Sequence, residues 1–67
     1  MTNTKELRRK IDASGLKMVF IAEKCNLTLQ GLLNKVDGRS QFRQSEITAI
    51  AAVLRLTKQE IFDIFFA

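Results

Sequence analysis

The tightest constraint in this 67-residue chain is the run MVFIAEKCNLTLQGLLNKVDG over residues 18–38. It carries two apolar stripes at helical spacing, one on Ile21, Ala22 and Cys25 and one on Leu32 and Val36. Apolar residues three and four apart share a helix face. Only Asn26 and Leu27 separate the first stripe from a new helix start at Thr28, a good N-cap residue. A link this short makes the second helix fold back against the first. Asn26 suits the turn, because its short amide side chain tolerates the left-handed backbone region, and Leu27 is expected to point back into the core. The expected helices are residues 18–25 and Leu29–Val36, with the small Ala22 where the two approach most closely. Lys17 is a poor N-cap for the first of them. Gly31 lowers the helix propensity of the second by about 1 kcal/mol relative to Ala; it either admits a close backbone approach or is simply tolerated.

The rest of the chain reads as a frame for this pair. Thr4–Ser14 is expected as a first helix, with Asn3 and Glu6 forming a capping box. Leu7 and Ile11 share one face, and Lys5, Arg8, Arg9 and Lys10 cover the others. Gly15 falls where a left-handed C′ residue is wanted, and Leu16 at C″ is placed to touch Ile11 in a Schellman-type stop. Asp37-Gly38 ends the third helix with turn chemistry. The loop 39–43 is basic and holds one large apolar residue, Phe42, expected to plug the core beneath it. Gln44–Leu54 is expected as a fourth helix with Ile47, Ile50, Ala51 and Leu54 inward. Leu56 links it to a fifth, which starts at Lys58 behind a second capping box of Thr57 and Glu60. The end of that helix, through Ile61, Phe62, Ile64, Phe65 and Phe66, is more apolar than one stripe can bury. It either closes the core against Leu7, Ile11 and Phe42, with Phe62 or Phe66 partly exposed, or serves as a homodimer surface. With no proline, no alternating pattern and no internal repeat, the fold class is all-α: five helices in one domain spanning residues 1–67.

Charge and composition narrow the function classes. The chain has 11 Lys+Arg against 7 Asp+Glu, a net charge of +4. Nine basic and four acidic residues lie in 1–43, so the first three helices carry the positive balance. That suits a phosphate-bearing partner, although a solvated basic face gives the same count. No apolar run approaches the ~18 residues of a membrane span, and the N-terminal MTNTKELRRK lacks the apolar stretch of a signal peptide. An intracellular protein with no membrane role is expected. One cysteine and no histidine supply metal sites poorly, and Cys25 reads as a small core hydrophobe. The three glycines are isolated, so no phosphate-cradling loop and no cofactor is expected. No nucleophile–base pair stands at motif spacing, so neither is an enzyme.

Two short helices joined by a tight turn, with Gln30 and Asn34 on the outer face of the second, have the layout of a helix-turn-helix, whose second helix enters the major groove of DNA. The pattern Ile21-Ala22, Cys25-Asn26-Leu27-Thr28 and Leu32, followed by Asn34-Lys35-Val36-Asp37-Gly38 and a later Ser45-Glu46-Ile47, resembles the lambda-repressor-like, Cro-type helix-turn-helix domains. Within these it is most similar to small Cro-like proteins from the genetic switches of phages of Gram-positive bacteria. That group includes antirepressors of the "modulator of repression" type. The resemblance covers roughly residues 5–66. It implies a five-helix lambda-repressor-like bundle with helices 2 and 3 as the DNA-binding pair. It also implies a transcriptional regulator of a lysis/lysogeny switch, working in the cytoplasm of a bacterial host. In the family the residue opening helix 2 is often Gln; here it is Met18, which cannot hydrogen-bond a phosphate or a base. The family's base readers map onto Leu29, Gln30 and Asn34, with Thr28 placed for a phosphate.

Two mechanisms follow. In the first, the chain binds double-stranded operator DNA. Gln30 and Asn34 can each pair with adenine, Leu29 can pack on a thymine methyl, and Lys35, Arg39 and Arg43 lie beside helix 3 as phosphate contacts. A domain this small would bind a two-fold operator as a dimer. In the second, the chain is an antirepressor that binds the cognate phage repressor protein through the same surface. Met18, Val19 and Phe20 are consecutive and apolar, and a helix cannot turn all three inward together with Ile21. Leu29 and Leu33 extend that patch, which marks a protein-interaction site.

Overall fold

In the computed structural model, which describes residues 2–67, the chain folds as α1 (Thr4–Ser14), α2 (Met18–Lys24), α3 (Leu29–Val36), α4 (Gln44–Leu54) and α5 (Lys58–Ile61). The last of these passes directly into a π-helical turn, Phe62–Phe66. The described residues are therefore all-α, as expected.

The helix starts follow their local chemistry, with one correction. Thr28 Oγ accepts from the Gly31 amide at 3.0 Å, and a Cβ on Gly31 would sit 3.0 Å from that hydroxyl. The glycine thus makes room for the cap. At Thr57 both halves of the capping box form: the Glu60 amide donates to Thr57 Oγ (3.1 Å), and the Thr57 amide donates to the Glu60 carboxylate (2.8 Å). At α1 only half of the expected box exists. The Glu6 amide donates to Asn3 Oδ1 at 3.1 Å, but the Glu6 carboxylate turns to Arg9. The Asn3 amide instead donates to the Ile64 carbonyl at 2.6 Å, which ties the entry of α1 to the π turn. At α4 the Glu46 carboxylate accepts from the Arg43 amide at 2.7 Å.

All four long-helix stops use a left-handed residue: Gly15, Asn26, Gly38 and Arg55, with φ of 71°, 57°, 82° and 56°. Three are full Schellman closures. Leu27, Arg39 and Leu56 donate back to the carbonyls of Ala22, Asn34 and Ala51 at 2.9, 2.8 and 2.9 Å. At Gly15 the closure differs from the expected one. The Ser14 hydroxyl accepts from the Leu16 amide (3.1 Å) and donates to the Ile11 carbonyl (2.6 Å), so a side chain bridges what a backbone bond spans elsewhere. Helix α2 ends at Lys24, one residue short of expectation, with Cys25 as its C-cap.

The core gathers Leu7 and Ile11 of α1, Ile21, Ala22 and Cys25 at α2, Leu32 and Val36 of α3, Ile50 of α4, and Ile64 and Phe65 of the π turn. Phe42 plugs it from the 39–43 loop and meets Phe65 edge-on, ring centroids 5.4 Å apart. At the C-terminal end Ile61, Ile64 and Phe65 face inward at helical spacing, which leaves Phe62 and Phe66 exposed. Three ion pairs lace the frame: Arg8–Asp37 (2.7 Å) between α1 and the end of α3, Lys10–Glu60 between α1 and α5, and Lys35–Glu46 (2.7 Å) between α3 and α4. Among the described residues no ion pair reaches α2, whose buried side chains, Ile21 and Ala22, are apolar.

Candidate functional site

The α2–turn–α3 pair sets the geometry of the site. Because Ile21, Ala22 and Cys25 turn inward, a helix period places Val19 and Phe20 on the other side of α2. They are 58% and 40% exposed, and Leu29, at the first turn of α3, is 43% exposed. These are three of the five large apolar side chains most open to solvent among the described residues. The other two residues of the expected patch sit deeper. Met18 packs partly buried against the core, and Leu33 is half-buried.

The expected base readers stand side by side. Gln30 is exposed, Asn34 is half-buried, and the Gln30 amide nitrogen donates to Asn34 Oδ1 at 3.0 Å. Each therefore already occupies part of the other's hydrogen-bonding capacity. Thr28 uses its hydroxyl oxygen as the cap acceptor and keeps its proton as a donor. Arg39 and Arg43 are exposed just beyond α3.

Lys35 does not lie where a phosphate contact would. Its side chain is only 13% exposed and its ammonium donates to Glu46 Oε1 (2.7 Å) and to the Gln41 carbonyl (3.0 Å). The reason is a buried acceptor eleven residues away, which no spacing rule signals. Burial pushes the Glu46 carboxyl up, but the hydrogen bonds from Lys35 and from the Arg43 amide outweigh it and hold the group below the usual carboxylate range. Arg8, Arg9 and Lys10 are likewise in ion pairs. Four of the nine basic residues of 1–43 thus serve the fold, and the positive face is thinner than the count promised.

Two neighbours of the patch were not anticipated. Lys24 lies one turn after Phe20 and sets its ammonium 5.4 Å from the ring centroid, a cation–π contact whose only sequence signal is the i, i+4 spacing. Arg55 borders the same region from the end of α4. Cys25 is buried, and burial together with the Glu46 charge pushes its thiol up, so it is held as an unreactive thiol. No cluster of three or more metal-ligating side chains occurs among the described residues. Nor is any helix among them long and apolar enough to cross a membrane.

Comparison with protein-family models, with curated proteins and with solved structures yields no match to this chain.

Proposed function

We propose that this chain is a lambda-repressor-like, Cro-type regulator of a phage genetic switch, with α2 and α3 as its helix-turn-helix, and that it acts as an antirepressor. In this reading the outer face of α2 and α3 docks on the cognate repressor and keeps that protein from its operator. The observation that carries it is the exposure of three large apolar side chains on the helix pair, Val19 and Phe20 of α2 and Leu29 at the first turn of α3. Burying the open part of each against a partner is worth roughly 1 kcal/mol by area. The withdrawal of Lys35 into an ion pair and the Met18 side chain at the start of α2 point the same way.

The test is a binding titration against the purified repressor of the same switch. Val19→Asp or Phe20→Asp is expected to abolish the complex while the helical circular-dichroism spectrum is retained, since both residues are exposed. Undiminished binding by both variants would rule out this surface.

The adjacent Gln30 and Asn34, with Arg39 and Arg43 beyond them, support a second reading, direct operator binding as a Cro-like regulator. In that case Gln30→Ala or Asn34→Ala costs about 1–3 kcal/mol at a specific site. Salt separates the two. Binding through several Lys and Arg to phosphates weakens steeply with ionic strength, whereas an apolar protein interface does not.

A further inference from the structure

Behind the exposed patch, a groove of about 530 Å³ runs between the end of α1, α2 and the end of α4. It is lined by the apolar Leu16, Phe20, Ala52, Val53 and Leu54, by Ser14, and by the two cations Lys24 and Arg55. No acidic side chain lines it, and among the described residues neither cation is in an ion pair. Arg55 is there at a conformational cost. It holds φ +56°, a region that glycine enters without strain, so a long cation occupies a position where a bare backbone would be easier. The groove is continuous with the outer patch, because Phe20 belongs to both.

We infer that this groove seats an apolar side chain flanked by carboxylates on the partner protein, with Lys24 and Arg55 pairing to the acids and Leu16, Val53 and Leu54 receiving the anchor. The inference rests on the antirepressor reading of the α2–α3 face and adds to it the chemistry of the surface recognised. Opposite charges beside an apolar seat speed encounter and fix register. The complex therefore has a mild salt dependence of its own, traceable to two residues.

The experiment measures the affinity of the full chain for the purified repressor of the same switch by calorimetric titration. The variants are Lys24→Glu, Arg55→Gly, Val19→Asp and, as a charge-matched control away from the groove, Lys58→Glu. Arg55→Gly removes the cation and relieves the strained backbone, so it is expected to unfold no more easily than the parent while binding about tenfold more weakly. Lys24→Glu is expected to weaken binding by at least as much, with Lys58→Glu within twofold of the parent. If Lys24→Glu and Arg55→Gly bind like the parent while Val19→Asp does not, the groove is overturned and the docking face stands. If Val19→Asp binds like the parent while both groove variants fail, the groove stands and the docking face falls. Equal weakening by Lys58→Glu reduces the effect to net charge and overturns the groove. A parent chain that does not bind the repressor overturns both.

Discussion

Arg55 and Gly15 close their helices with nearly the same backbone, φ 56° and 71°, yet with opposite side-chain economics. A residue with a Cβ loses roughly 1–2 kcal/mol in this region. Replacing it by glycine regains that amount less the ~0.5–1 kcal/mol of extra chain entropy that glycine loses on folding. Arg55→Gly is therefore expected to raise unfolding stability by about 0.5 kcal/mol. Gly15→Ala is expected to lower it by about 1 kcal/mol. Nothing lies within 4 Å of a Cβ built on Gly15, so that loss is conformational and not steric. Urea midpoints of the two variants check both signs; a stabilised Gly15→Ala would contradict the strain argument. Asn26 sits between these cases, its amide side chain making the same turn tolerable.

Among the elements, α3 is joined to α4 by one ion pair in which both side chains are nearly out of water: Lys35 is 13% and Glu46 9% exposed. Such a pair adds little over a well-packed apolar substitute, but removing one partner strands the other charge. Lys35→Met is expected to cost about 2 kcal/mol, below the range for a fully buried pair because the Arg43 amide still serves Glu46. The loss should appear in denaturation of the free protein, with no change in the salt dependence of any DNA binding, since Lys35 does not face outward. A variant of parental stability would show the pair to be idle. This element also marks where sequence reading stops. Turns and caps were legible at Asn26, Thr28, Gly38 and Thr57, because each acts through atoms within a few residues. The same local logic failed at Glu6, where Arg9 took the carboxylate and a carbonyl sixty-one residues away took the Asn3 amide. It failed at Lys35 for the same reason, the decisive partner being distant in the chain. It was silent at Arg55, since a long cation gives no sign of a left-handed backbone. In the candidate site, sequence established that Met18, Val19 and Phe20 could not all be buried. The packing of Met18 against the core then left Val19 and Phe20 as the exposed pair.

At the scale of the whole molecule, α1 is the hub, meeting α3 through Arg8–Asp37, α5 through Lys10–Glu60 and the π turn through the Asn3 amide. The core residues supply most of the stability, since exposed pairs contribute little. The carboxylates decide how that stability changes with acid. Glu60 is lowered to about 2 by its hydrogen bond from Lys10 and by the Thr57 amide. Glu6 is lowered through Arg9, and Glu46 is lowered in spite of its burial. A carboxyl with a depressed folded-state value binds its proton more readily in the unfolded chain. Its contribution is therefore fully present above the ordinary value near 4.5 and is lost as pH falls through the folded value. The urea midpoint is expected to hold level from pH 7 to about 5 and to fall between 4.5 and 2. Glu60→Gln isolates the Lys10 link, because glutamine can still accept the Thr57 amide at the third helical position. That variant should be less stable than the parent at neutral pH, lose less on acidification, and converge with it near pH 2. Parallel curves across the whole range would mean that the Lys10–Glu60 contact carries no charge-dependent stability, and that α1 is joined to the C-terminal end by the Asn3–Ile64 hydrogen bond and by the shared apolar core of Leu7, Ile11, Ile64 and Phe65.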